Sequence, residues 1–252
     1  MYRYFICVVC IAVINGCSST SSENVTTEGI AADINIVADG SGSTGVRVFL
    51  EVGSGGLGAT SLRVGPSDSL TVLANGIQKT LIEDSSIFGQ FSYTASYDFD
   101  DADTLFVVSF LRDNGVSAPN STVILPDGFF VVSPTGNDIY GTNESISIVW
   151  TPNNTSIVPT IQVTLTCTQT NGIAIVAFQN VALTSDSGIA ALPVAAVMPI
   201  PIAGELDTSK LCEGRVDLSR LRGGSLDPNY GEGGNITAEQ FERTQFFVDL
   251  TA

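Results

Sequence analysis

From Ile30 onward the chain alternates short runs of β-branched and aromatic residues with Gly, Asn, Asp and Pro, and nowhere sustains a helical apolar period. Runs this short satisfy their backbone donors and acceptors only by pairing with one another, so the chain is read as all-β. Candidate strands fall at 46–52, 69–74, 77–82, 90–97 and 104–111, then at 129–133, 145–151, 160–168, 173–178, 212–221 and 244–250. Helix is limited to a turn or two near 205–211 or 237–243.

Two hairpins can be drawn with register. Asn75-Gly76 separates two strand runs by two residues, the strongest short-range hairpin signal. Pairing across it puts Leu70, Val72 and Ala74 on one face with Leu81, Lys79 and Ile77. Asn171-Gly172, treated the same way, groups Val163, Leu165 and Cys167 with Phe178, Val176 and Ala174, leaving the intervening threonines on the other face. One wet and one buried face is the sandwich pattern. Cys167 then points inward. Cys212 shares parity with Val216 and Leu218 and points inward too, so the two are expected to form a disulfide between facing sheets.

The turn cluster Pro126-Asp127-Gly128 divides the chain into two strand-rich halves, 30–127 and 128–252, each of sandwich size. In the second half Ser133-Pro134-Thr135-Gly136, Tyr140 and Ile146-Ser147-Ile148-Val149-Trp150 resemble the opening of bacterial and fungal cell-surface immunoglobulin-like domains. The fold expected is two immunoglobulin-like antiparallel β-sandwiches in tandem.

The N-terminus carries an address. One positive charge, Arg3, precedes an unbroken apolar run at 5–14, too short to span a bilayer, which ends Ile14-Asn15-Gly16-Cys17. This resembles the lipobox of bacterial lipoproteins. The resemblance implies a signal peptide at 1–16, lipidation of Cys17 and, with Ser18 following, sorting to the outer membrane, facing periplasm or cell surface. Five cysteines then resolve into two removed, one acylated and the pair Cys167 and Cys212. Residues 17–29, rich in Ser and Thr, read as a flexible tether.

Composition excludes several function classes. Ten basic against 26 acidic residues, net charge −16, argue against nucleic acid, whose phosphates require clustered Lys and Arg. Histidine is absent, which removes Ser-His-Asp and Cys-His mechanisms and His-ligated metal sites. Gly53-Ser54-Gly55-Gly56-Leu57-Gly58 and Gly40-Ser41-Gly42-Ser43-Thr44-Gly45 both match a dinucleotide fingerprint. Residues 59–66 after the first match end in Gly-Pro and cannot open a helix, so no nucleotide is expected.

Asp98, Asp100, Asp101 and Asp103 form the densest acidic cluster and the one calcium candidate. They lack the glycine and glutamate of a helix-loop-helix calcium loop, and a solvated loop in which Asp caps backbone donors is the favoured reading. Arg215 and Asp217 share the face opposite Cys212 and are expected to pair on the surface, with Arg220 and Arg222 beyond them. The glycine-rich stretch 223–234, with an exposed-looking Tyr230, reads as a long connection. Catalytic apparatus is missing from the sequence. The expected function is a lipid-anchored, non-enzymatic binding, adhesion or structural module of the cell envelope with a protein or glycan ligand. Its alternatives are a carboxylate-dependent, carbohydrate-active hydrolase and a calcium-dependent binding module. On the hydrolase reading two carboxylates are buried together in a cleft; on the leading one Asp98 to Asp103 and Glu232 are exposed.

Overall fold

The computed structural model describes residues 19–53, 59–85, 91–152, 157–200 and 205–252. Among these there is no α-helix, only strands and three short 3-10 turns. The strands of the first half are β1 (Ser19–Ser21), β2 (Ile30–Ala38), β3 (Thr44–Val52), β4 (Thr60–Arg63), β5 (Ser69–Ala74), β6 (Ile77–Thr80), β7 (Ile82–Ser85), β8 (Phe91–Tyr97), β9 (Leu105–Leu111) and β10 (Ala118–Ile124). Those of the second half are β11 (Val131–Ser133), β12 (Ile139–Gly141), β13 (Ser145–Trp150), β14 (Thr160–Thr168), β15 (Ala174–Val181), β16 (Ile189–Pro193), β17 (Cys212–Gly223) and β18 (Gly234–Asp249).

One large sheet runs β1-β4-β3-β2-β18-β17-β14-β15, with β8 also on β3, β7 on β8 and β12 on β18. Two smaller sheets, β10-β9-β5-β6 and β11-β13-β16, make the opposing layers. Alternation drives the layering. Ile30, Ala32, Ile34, Ile36 and Ala38 of β2 are all buried, as are Ile146, Ile148 and Trp150 of β13. The first core joins Ile34 and Val48 of the large sheet to Val72, Phe106 and Val123 of the four-stranded one. The second joins Val163, Leu165, Val216 and Phe246 to Ile146, Ile148 and Leu192. The chain is therefore all-β and built of stacked sheets.

A single hairpin serves both cores. β17 and β18 pair from Cys212↔Val248 to Gly223↔Thr237. One end of β18 lies parallel to β2, Gly234↔Ala32 to Gln240↔Ala38, and puts Ile236 and Ala238 into the first core. Its other end lies parallel to β12, with Phe246 and Val248 in the second core. At 16 residues β18 is about 50 Å long, enough to cross both sandwiches. Leu125 belongs to the first core and Phe129 packs on the second, while Tyr230 returns to the first. The parallel pairings depart from the purely antiparallel expectation, because β2 and β18 meet through the fold rather than through a turn.

Three local expectations are corrected. The helical turn expected at 237–243 is strand, held between β17 and β2. The tether is not free over 19–29: β1 pairs with β4, and Ser22 and Thr27 are buried. Arg112 holds this segment by donating to the carbonyl of Val25 at 2.8 Å, to Thr27 Oγ1 at 3.0 Å and to the carbonyl of Ser22. Asp68 faces Arg112 at 3.4 Å, both side chains nearly inaccessible, and accepts from Ser22 Oγ at 2.6 Å. Polar Ser and Thr become buried because a buried cation needs their oxygens.

The third correction is register. The Asn75-Gly76 hairpin pairs as expected, Ala74↔Ile77 and Val72↔Lys79, with Asn75 at φ 48° and Gly76 at φ 74°. At the second hairpin Gln169 bonds Ile173 (N to O, 2.8 Å) and Gly172 N donates to Gln169 O. The loop is thus Thr170-Asn171-Gly172, with Gly172 at φ 84°. Three residues instead of two turn β15 over: Cys167 faces Ile175, while Val176 and Phe178 move to the outer face. Cys167 and Cys212 are bonded and both buried, with Cα atoms 4.4 Å apart. Since Thr166 pairs with Glu213, they link neighbouring strands of one sheet rather than facing sheets.

Candidate functional site

The alternation that buries Cys212, Val216 and Leu218 on β17 continues to Arg220, which is also buried. At that point the hairpin passes from one core to the other. Arg220 Nη2 meets Asp186 Oδ2 at 2.5 Å, with side-chain exposures of 1% and 3%. Its Nη1 donates to the carbonyls of Gly128 at 2.7 Å and Asp127 at 3.2 Å, and its guanidinium lies 4.2 Å from the Phe129 ring centre. Trp150 Nε1–H donates to Asp186 Oδ1 at 2.6 Å. One buried cation thereby holds the turn between the halves, the core tryptophan and the hairpin together. From sequence Arg220 is a charge on or just past the strand with no face assigned; its parity with Cys212 was the signal for burial.

The buried carboxylates are similarly engaged. Asp227 accepts from Asn120 N at 2.8 Å and Asn229 N at 3.0 Å, pinning the 223–234 loop to β10. Tyr230 in that loop is buried, not exposed; burial and the charge of Asp227 raise its pKa, and its hydroxyl has no hydrogen-bond partner among the described residues. Asp68, Asp186 and Asp227 sit on separate networks, each bound to a cation or to amide donors. Glu232 is exposed.

The acidic cluster does not converge. Asp100 Oδ2 accepts from Gly42 N at 3.1 Å, Asp103 reaches Arg222 at 3.5 Å, the Asp101 carbonyl accepts from Thr104 Oγ1, and Asp98 and Asp101 are exposed. Among the described residues no group of three or more Asp, Glu or Cys side chains could hold an ion. The calcium candidates Asp98, Asp100, Asp101 and Asp103 are arranged as in the favoured reading, a solvated loop. Of the glycine motifs, 54–58 lies outside the described residues. The 40–45 motif is a capped turn: Asp39 Oδ1 accepts from Ser41 Oγ and N and Oδ2 from Ser43 Oγ, which lowers its pKa, and β3 follows instead of a helix. Glu242 packs over Gly40, where partial burial and then the charges of Asp100 and Asp39 raise its pKa. Cys17 and the signal peptide expected at 1–16 also lie outside the described residues.

What the fold does display is a registered surface of polar side chains. On the outer face of the large sheet in the second half, the ladders line up Asn180, Gln162, Asp217 and Arg243 in one row. The next two are Phe178, Thr164, Arg215 and Gln245, then Val176, Thr166, Glu213 and Phe247. Asp217 receives Arg215 at 2.9 Å, as expected from sequence, and Arg243 at 2.7 Å. Gln162 Nε2 donates to Asn180 Oδ1 at 3.1 Å. Two open grooves of about 270 and 440 Å³ run over these rows, the first past Thr164, Thr166 and Gln245, the second past Gln162, Asn180 and Phe241. Amide, guanidinium and carboxylate groups fixed on strands beside half-exposed phenylalanines suit recognition of a polar ligand with apolar faces.

No family model and no curated protein matches the chain. Among solved structures it is similar to fibronectin(III)-like modules of Clostridium thermocellum CbhA, at 10% identity and TM-score 0.26, covering 87% of this chain and 90% of that one. It is similar to the Yersinia pseudotuberculosis adhesin InvE at 12% identity and TM-score 0.22, covering 88% and 59%. It is also similar to Bacteroides ovatus SGBP-B, solved with a mixed-linkage heptasaccharide, at 11% identity and TM-score 0.19, covering 94% and 67%.

Proposed function

We propose that this chain is a lipid-anchored protein of the bacterial outer membrane that works as a non-enzymatic binding module. Its ligand is a protein or glycan held on the outer face of the large sheet. The observation that carries the reading is the set of registered rows around Arg215, Asp217, Gln245 and Gln162. Side chains already tied to one another on strands lose little freedom when a ligand arrives. The engaged state of Asp68, Asp186 and Asp227 favours this reading over the carboxylate hydrolase, which needs a raised-pKa acid beside a second free carboxylate. Glu242, the one carboxylic acid of raised pKa among the described residues, has beside it Asp100 and Asp39, which already accept from Gly42 N and from Ser41 and Ser43. The Ile14-Asn15-Gly16-Cys17 motif supports the anchor.

The test uses the full chain. Affinity electrophoresis against a panel of soluble polysaccharides, and pull-down from envelope extract, should show a ligand retained by the wild type and lost in Arg215→Ala/Gln245→Ala. Retention by that variant, or release of reducing sugar from the panel, overturns the binding reading. Cys17→Ala should move the protein out of the membrane fraction; unchanged fractionation overturns the anchor.

A further inference from the structure

We infer that β15 is a self-pairing edge, through which a second copy of this chain adds its own β15 antiparallel to extend the large sheet. β15 ends the sheet order, so among the described residues its outer side has no neighbouring strand. The phase of the ladder decides which groups that leaves unpaired. Gln169 N donates to Ile173 O, which marks 169/173 as a bonded position, and bonded positions alternate along an antiparallel ladder, so Ile175, Ala177 and Gln179 bond to β14. Ala174, Val176, Phe178 and Asn180 therefore turn N–H and C=O groups to the free edge, where among the described residues the Asn180 carbonyl accepts from Gln179 Nε2.

Edges of this kind are normally blunted by Lys, Pro, a bulge or brevity. This one has none of these. Residues 173–181 (IAIVAFQNV) contain no charged residue and no proline, pair with β14 over eight residues without a register shift, and expose Val176 by 62% and Phe178 by 65%. In a chain of net charge −16 a second copy is repelled wherever charged surfaces meet, and an uncharged strand is where two copies can approach.

The strand is also complementary to itself. Two-fold pairing about Ala177 places Val176 opposite the partner's Phe178 and Phe178 opposite the partner's Val176. Both are hydrogen-bonded pairs between edge-facing residues, and both are aromatic-on-β-branched contacts on the outer face. Ala177 then faces the partner's Ala177 as a non-hydrogen-bonded pair with Cα atoms about 4.5 Å apart, within disulfide reach. A strand-pair interface is small, so dimerisation is concentration-dependent.

Ala177→Cys in the full chain, expressed in a bacterial envelope and mildly oxidised, should give a disulfide-linked homodimer on non-reducing gels. Thr170→Cys, at the exposed hairpin tip, should give only the collision background. Adding Phe178→Lys or Val176→Lys to Ala177→Cys should reduce the dimer to that background, with wild-type protease resistance and an intact Cys167–Cys212 bond confirming the fold. No homodimer from Ala177→Cys, equal yield from Thr170→Cys, or cross-linking solely to a different protein overturns the inference.

Discussion

Arg220 on β17 and Asp186, in the loop before β16, form an ion pair at 2.5 Å that is closed to solvent where the two cores meet. Both partners have further hydrogen bonds, Arg220 to the Asp127 and Gly128 carbonyls and Asp186 to the Trp150 indole. Buried charges survive in a fold only with this degree of compensation.

Removing one partner leaves the other charged and buried. Arg220→Met alone should cost about 3–5 kcal/mol in urea unfolding. Arg220→Met with Asp186→Leu should cost less than that single change, because no orphaned charge remains. Asp186→Leu should also shift Trp150 emission, since the indole loses its acceptor.

Arg112 makes a separable prediction about the N-terminal segment. In Arg112→Ala the carbonyls of Ser22 and Val25 and the carboxylate of Asp68 lose their cation. Residues 19–29 should then lose amide-exchange protection and become sensitive to cleavage after Glu23 and Glu28, while β5 and β9 keep theirs. Equal protection in wild type and variant would mean that this contact does not hold the segment.

Cys167 and Cys212 close a loop of sequence separation 45. Replacing both with Ala should lower stability by about 4 kcal/mol on the chain-entropy account, measured by denaturant unfolding under non-reducing conditions. The strands should still pair, since β14 and β17 also share a continuous ladder.

Glu242 supplies the pH prediction. Its folded-state pKa is raised, by partial burial first and by Asp100 and Asp39 next. A raised pKa means that the folded state holds the proton more tightly, so this contribution is present below the unfolded value and lost as pH rises through the folded one. Glu242→Gln should therefore raise the Tm at pH 7 by about 1–2 °C, the scale of a surface substitution, with the gain vanishing near pH 4.

Alternation along each strand was legible in the sequence, because a strand's side chains take opposite faces by covalent geometry alone. Hence the all-β class, the inward Cys167 and Cys212, the Asn75-Gly76 hairpin and the Arg215–Asp217 pair were all readable from local pattern. The tertiary structure decided which strands meet. β18 chooses β2, some 200 residues away in sequence, because β2 offers an open edge where the hairpin passes. One extra loop residue at Thr170-Asn171-Gly172 turns Val176 and Phe178 outward, and a turn's length is set by the ladder it must close. Arg220, Arg112, Ser22 and Tyr230 are buried because their partners come from distant segments: Asp186 and Asp127, Asp68, Arg112, and the first core. Local periodicity carries the direction of each side chain. The cost of burying a charge or a hydroxyl is set by groups that only the folded chain brings near.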